Sequence, residues 1–231
     1  MKFKIDSKIF EKFPELNIGL VIARDIDNKG INNKIIELIR NKERDIINNF
    51  SKDILSENLK LNSWRKAYSS FGAKKYRCSV ENLYRMILDD VELKHINKIV
   101  DIYNYISIKH VIPVGGDDLD KIDGDLELTF AKGNEKFVQL NSSEIDHPKK
   151  EEVIYKDDKE VTCRRWNWRE CDKSKMTEAT KNVILVVEGL PPFIKDDIKD
   201  ILDEMSLLVK DVCCGEIKKI VLDRELREIK I

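Results

Sequence analysis

The sequence predicts an α+β protein, because it mixes helical and strand periodicities in long, separate stretches. Apolar residues recur at spacings of three, four and seven in Ile31, Ile35, Leu38, Ile39, Ile46, Ile47 and Phe50, and again in Ile198, Ile201, Leu202, Met205, Leu208 and Val209, which is the pattern of a helix with one buried face. From Asp125 the period falls to two: Leu126, Leu128 and Phe130 alternate with Glu127 and Thr129, as in a half-buried strand. Short β-branched runs at Asn17–Ala23 and Val183–Val187 have the length and content of fully buried strands.

The elements follow in order. After the Asn17–Ala23 strand, Asn28-Lys29-Gly30 breaks the chain before one long helix or two shorter ones up to Phe50. Ser79 is a suitable N-cap for a helix with Glu81 in its first turn and Val80, Leu83, Tyr84 and Ile87 on its apolar face. A helix over Ile96–Ile108 buries Ile96, Ile99, Val100 and Tyr103, and Pro113-Val114-Gly115-Gly116-Asp117-Asp118 then reads as an elbow. Two hairpins are expected, Leu126–Phe130 with Phe137–Leu140 and Glu152–Tyr155 with Val161–Cys163. Pro191-Pro192 ends the Val183 strand. The C-terminal helix stops at Cys213-Cys214-Gly215, a glycine cap, and Ile217–Ile231 returns as one or two strands. With 231 residues the chain can bury a full core, divided as an N-terminal strand-helix portion, 1–60, packed on a main domain, 61–231.

Composition limits the function. The charged fraction is 37%, but 42 basic and 43 acidic residues nearly cancel, so any nucleic-acid contact must come from a local patch. Abundant Ile, Lys and Asn also follow from AT-rich codons, which weakens the lysines as a functional signal. No apolar run approaches the roughly 18 residues of a membrane span, and Met1–Asp6 lacks a signal-peptide core; a cytoplasmic protein without membrane contact is expected. Cys78, Cys163, Cys171, Cys213 and Cys214 lack the paired spacing of a zinc site, and His95, His110 and His147 are scattered. Neither a metal nor a cofactor is expected.

Four stretches could carry chemistry. Trp64–Arg77 interleaves four aromatics with five cations, a composition that suits RNA stacking and neutralisation as well as a solvated helix and loop; Lys74, Lys75 and Arg77 are its candidate phosphate contacts. Asn97, Asp101 and Asn104 align on one helix face and either brace neighbouring loops or line a pocket. Gly115-Gly116 leaves room for a ligand above the backbone, or simply makes a tight turn. Arg164-Arg165-Trp166-Asn167-Trp168-Arg169 follows a strand, and alternation there would send both tryptophans to one face. That segment is either a pocket wall holding a carboxylate, phosphate or ribose, or a set of cations stacked on indoles.

The order Val100-Asp101-x-x-Asn104-Tyr105, Pro113-Val114-Gly115-Gly116-x-Asp118-Leu119-Asp120-Lys121-Ile122-x-Gly124 and Thr180-x-Asn182-Val183-x-Leu185 resembles the editing region of the phenylalanyl-tRNA synthetase beta subunit, the B3/B4 domain. The stretches Trp64–Arg85, Asn97–Ala131 and Cys163–Thr180 are similar to free-standing proteins made of this domain alone. The likeness spans roughly residues 60–192. It implies a B3/B4-like fold of mixed or antiparallel sheet with packed helices, and a tRNA or aminoacyl-tRNA partner, since the synthetase domain hydrolyses tyrosine wrongly attached to the phenylalanine tRNA. Asn104, Tyr105, Pro113 and Asp118 match family positions, but the family's histidine falls at Gly115 and its Ala-Phe at Gly116-Asp117. The glycine-rich loop of the synthetase's second half is replaced by Arg165-Trp166-Asn167-Trp168.

The resemblance thus implies trans-acting hydrolysis of mischarged aminoacyl-tRNA. An activated ester needs a positioned water and a stabilised oxyanion more than a nucleophilic side chain. Asp117 or Asp118 would orient the water, with backbone N–H groups of Gly115-Gly116 or an arginine on the oxyanion. Asn104, Gly115, Gly116, Arg164, Arg165, Trp166, Asn167 and Trp168 would bind substrate, and Arg169 would join Lys74, Lys75 and Arg77 on RNA. The alternative is a non-catalytic module that binds a free amino-acid-like ligand or a partner protein on the same scaffold.

Overall fold

The computed structural model describes all residues, Met1–Ile231. The elements run β1 (Lys2–Ile5), α1 (Ser7–Lys12), β2 (Asn17–Arg24), α2 (Asn33–Asn49), α3 (Leu59–Ser70), α4 (Ser79–Leu88), α5 (Lys98–His110), β3 (Val114–Asp118) and β4 (Leu126–Phe130). Then come β5 (Phe137–Val138), β6 (Ile145–Asp146), β7 (Val153–Lys156), β8 (Val161–Arg164), β9 (Arg169–Glu170), β10 (Val183–Gly189), α6 (Lys195–Cys213), β11 (Glu216–Leu222) and β12 (Glu228–Lys230). This is an α+β fold built on two main sheets, with β5 and β6 forming a small third.

One sheet has the order β11-β2-β10-β3 and is antiparallel throughout. Its inner strands β2 and β10 are almost wholly buried, which explains why both read as unbroken apolar runs. The amphipathic face of α6 covers one side. A Cβ on Gly19 or Gly189 would come within 2.7 or 2.5 Å of Ile198, so glycine lets the helix seat directly on the strands. The second sheet, β12-β1-β4-β7-β8-β9, is antiparallel except where β1 runs parallel to β4. Tyr155 of β7 donates to Glu188 of β10 at 2.6 Å, joining the second sheet to the face of the first that α6 leaves open.

One cluster of 59 buried hydrophobic residues runs from Phe3 through Ile35, Trp64 and Ile106 to Leu222. Residues before and after position 61 therefore share a core. No helix is long and apolar enough to cross a membrane.

Ile96, expected on the buried face of a helix, lies ahead of α5 and is 59% exposed, and three further expectations change. β4 pairs with β1 and β7, and Phe137-Val138 pairs with Ile145-Asp146; the expected first hairpin does not form, because the parallel partner β1 occupies the edge of β4 that a returning strand would use. Pro113–Asp118 is not an elbow but the strand β3 on the edge of the first sheet. Cys78, not Ser79, takes the N-cap position of α4, and it makes no side-chain cap bond.

Candidate functional site

A small cavity lies where β3, β10 and the turn between β8 and β9 meet the start of α4. It is lined by Ser79, Gly115, Gly116, Asp117, Tyr155, Cys163, Trp166, Asn167, Glu170 and Glu188, among others. Its volume is about 40 Å³, room for roughly three to four waters at about 10–15 Å³ each.

Strand alternation decides what points in. Gly115 and Asp117 share the cavity face of β3, opposite Val186 and Ile184 of β10. A Cβ on Gly115 would meet Glu170 Oε1 at 3.0 Å; the glycine leaves space for that carboxyl group. Ladder alternation also assigns the amides. Leu119 N–H donates to Asn182 and Glu188 N–H to Pro113, which commits the amides of Gly115 and Asp117 to β10 and turns those of Gly116 and Asp118 to the open edge. Asp118 N–H finds the Ser174 carbonyl at 2.9 Å, whereas the Gly116 N–H makes no hydrogen bond within the protein. Of the two glycines expected to offer oxyanion donors, only Gly116 has an amide left to offer.

The polar lining is acidic, and no Lys, Arg or His takes part. Burial raises the Asp117 carboxyl to about 6 against the lowering effect of a Ser174 hydroxyl that donates to it, with Asp157 adding repulsion. Burial and the charges of Asp117 and Glu188 raise Glu170 to about 8. Burial also raises Glu188 to about 7, although Tyr155 and Asn167 donate to it at 2.6 and 2.5 Å. Burial thus pushes all three carboxyls toward the protonated form near neutral pH, Glu170 furthest and Asp117 least. Two further groups in the lining make no hydrogen bond of good geometry: the Ser79 hydroxyl, and the Trp166 indole N–H, which only leans toward Glu188. Such orphans are uncommon in folded proteins and mark places where a ligand or water is expected. No group of three or more His, Cys, Asp or Glu side chains is arranged to hold a metal ion.

Several residues singled out in the sequence meet here: Gly115, Gly116, Asp117, Trp166 and Asn167. Asn167 is the keystone. Its amide donates to Glu188, and its carbonyl accepts from Tyr68 at 2.9 Å and from the Ser79 backbone at 3.1 Å, tying the turn to α3, α4 and β10. Asp118 points elsewhere, accepting from Thr180 at 2.7 Å and from the Asp120 amide at 3.0 Å. Asn104 is half-buried on α5 outside the lining, while Asn97 and Asp101 brace loops through Met176, His95 and the α5 cap.

The alternation expected for residues 164–169 is replaced by a tight turn with Arg165 and Trp166 at φ of 47° and 66°. Trp166 is fully buried against Phe13 and Trp64. Arg164 is buried on Glu152, its Nε at 2.9 Å. Arg165 lies 3.9 Å from the Tyr76 ring centre and 4.5 Å from that of Trp168, and Arg169 covers the same indole. These arginines stack or pair within the protein, as the stacked-cation alternative predicts. In the Trp64–Arg77 stretch, Trp64 and Tyr68 are core residues; Lys74, Lys75 and Arg77 are exposed.

Sequence reading missed Glu170, Glu188, Ser79 and Tyr155. Glu188 alone had a signal, a carboxylate at the end of an otherwise apolar strand.

Two sheets packed face to face, with an edge strand and a tight turn enclosing a carboxylate-lined cavity at their junction, define an α+β domain. The chain belongs to the B3/4 domain family, whose model matches residues 63–202. Among solved structures it is similar to an N-terminal fragment of the phenylalanyl-tRNA synthetase beta subunit from Pyrococcus horikoshii, at 14% identity and a TM-score of 0.46. That likeness covers 95% of this chain and 53% of the fragment, so the chain spans about half the fragment's length. No curated protein matches in sequence.

Proposed function

We propose that the cavity hydrolyses an aminoacyl ester carried by tRNA. The observation that supports it best is that Asp117, Glu170 and Gly116 line one small space, with both carboxyls raised by burial and the Gly116 N–H uncommitted at the sheet edge. Asp117 takes a proton from a water as that water attacks the ester carbonyl. The Gly116 amide donates to the oxyanion of the tetrahedral intermediate. Glu170 protonates the departing ribose oxygen as the C–O bond breaks, leaving a free amino acid and tRNA.

The absence of cations in the lining suits the substrate better than the product. An aminoacyl ester presents an ammonium group and no carboxylate, and Glu188 at the cavity wall attracts the former. After hydrolysis the new carboxylate faces three acids and is expelled. The cavity volume favours a small amino-acid side chain over an aromatic one. This departs from the tyrosine specificity of the synthetase domain.

The test is a panel of correctly and wrongly charged tRNAs offered to the purified protein. Release of small amino acids ahead of phenylalanine or tyrosine is expected, and uniform inactivity overturns the proposal. Capture of charged tRNA without release would favour the binding module, the reading that the glycine at the family's histidine position supports.

A further inference from the structure

The first turn of α4 belongs to two constellations at once. Ser79 lines the cavity, while Arg77 and Glu81, two residues to either side, belong to a second charged cluster. Glu81 is 1% exposed, and three guanidinium groups converge on it. Arg65 of α3 binds both carboxylate oxygens, Nε to Oε2 at 3.0 Å and Nη2 to Oε1 at 2.9 Å. Arg85 donates its Nε at 3.0 Å, and Arg77 brings its Nε to 3.2 Å.

Glu152, another buried glutamate paired with arginine, takes close guanidinium hydrogen bonds from Arg164 alone, with Arg165 Nε at 3.8 Å. Three positive charges against one negative leave two uncompensated. Arg77 and Arg85 each spend only Nε on Glu81, and their terminal nitrogens make no hydrogen bond within the protein. Arg77 lies just before α4 and Arg85 within it, and both side chains are brought to the same oxygen of Glu81. Exposed Lys74 and Lys75 precede them in the chain. Guanidinium groups fixed at Nε and open at both terminal nitrogens present the fork that phosphate oxygens match, with the ordering cost already met by the fold.

We propose that Arg65, Arg77 and Arg85, organised on Glu81, form a clamp for the phosphodiester backbone of an RNA strand whose end enters the neighbouring cavity. The choice of RNA rests on the reading of the cavity as a site for tRNA-linked esters; the clamp itself rests on the arginine geometry. Arg77 and Arg85 do the gripping, and Arg65 keeps Glu81 neutralised when they engage phosphate.

The experiment is equilibrium binding of uncharged tRNA to the full chain across a salt series, for the wild type, Arg77→Ala/Arg85→Ala and Arg77→Lys/Arg85→Lys. Each single-strand phosphate contact contributes a slope of about 0.7 in log K against log salt. The double alanine variant should bind at least about tenfold more weakly and lose roughly 1.4 from that slope, while the lysine variant keeps most of the slope and loses part of the affinity. Thermal melts of the variants, which retain the Arg65–Glu81 pair, separate a binding defect from a folding defect. Unchanged affinity and slope in the alanine variant, or no tRNA binding by the wild type, overturns the clamp. The hydrolysis reading is scored separately by wild-type turnover: release of amino acid with the clamp result negative sinks only the clamp, and a positive clamp result without turnover sinks only the hydrolysis.

Discussion

Glu81 and Glu188 are both buried glutamates at the start or end of a regular element, and the protein treats them in opposite ways. Burial works against ionised Glu81, but hydrogen bonds and charges from Arg65 and Arg85 outweigh it and hold the carboxyl below its usual range. Glu188 has only neutral donors, Tyr155, Asn167 and the Trp166 indole, so burial wins and the group sits near 7. The same residue type is fixed as a charge in one place and left poised between two protonation states in the other. A buried carboxylate with a cation is an anchor, whereas a cluster without one is a reservoir of proton-transfer capacity kept at a cost in stability.

The sharpest way to break that comparison is at Asp117. Asp117→Asn removes the proton acceptor while keeping the Ser174 hydroxyl within reach of the amide. Turnover of aminoacyl-tRNA should fall by about 10²–10⁴-fold, with unfolding stability equal to or above that of the wild type. A loss of stability with turnover intact would make Asp117 an anchor like Glu81.

Next in size is Glu81→Gln. Removing one partner of a buried ion pair costs about 3–5 kcal/mol, but the three arginines are 27–49% exposed and water relieves part of their repulsion. A destabilisation of about 2–3 kcal/mol in urea unfolding is expected, with no counterpart at Glu188.

How much of this was legible in the sequence follows the same division. Elements that rest on a local pattern were readable: β2, β10, α6 and the β7–β8 hairpin all lie where their apolar periodicity puts them. The β4–β1 pairing was not, because a parallel register between Phe3 and Leu126 joins positions far apart in the chain and leaves no local trace. Gly115, Gly116 and Asp117 were found through the glycines, yet their strand conformation was missed, since paired glycines advertise a turn whether they need positive φ or only a missing side chain. Glu170 and Ser79 enter the cavity from separate elements, and only the packing of the two sheets brings them together.

The pH dependence of Glu188 sharpens the comparison further. Its folded value near 7 lies above the ordinary value for glutamate, so its stabilising contribution is fully present below about pH 4.5 and is lost as pH rises through about 7. Wild-type stability should decline over that window, and Glu188→Gln should flatten the decline, leaving the variant about 3 kcal/mol more stable than the wild type at pH 9 and little different at pH 4.5. Glu170, raised to about 8, carries a similar penalty to higher pH and will leave part of the slope in place. A variant profile parallel to the wild type would mean that Glu188 is charged in both states, as Glu81 is.

The smallest effect concerns a cation that has aromatic company as well as an acid. Arg165 stacks between Tyr76 and Trp168, with Glu152 Oε2 3.8 Å from its Nε, and burial still pulls its pKa down. The pair with Glu152 is long, and Arg164 already meets that carboxylate at 2.9 Å, so Arg165→Met acts chiefly by removing the cation from between the two rings. A partly desolvated cation–π interaction contributes about 0.5–2 kcal/mol, and methionine keeps some of the packing against both rings. A loss of about 1 kcal/mol in unfolding free energy is therefore expected. If tRNA affinity instead drops by much more than this, Arg165 leaves its stack to meet the ligand, and the β8–β9 turn is a moving part of the site and not only its wall.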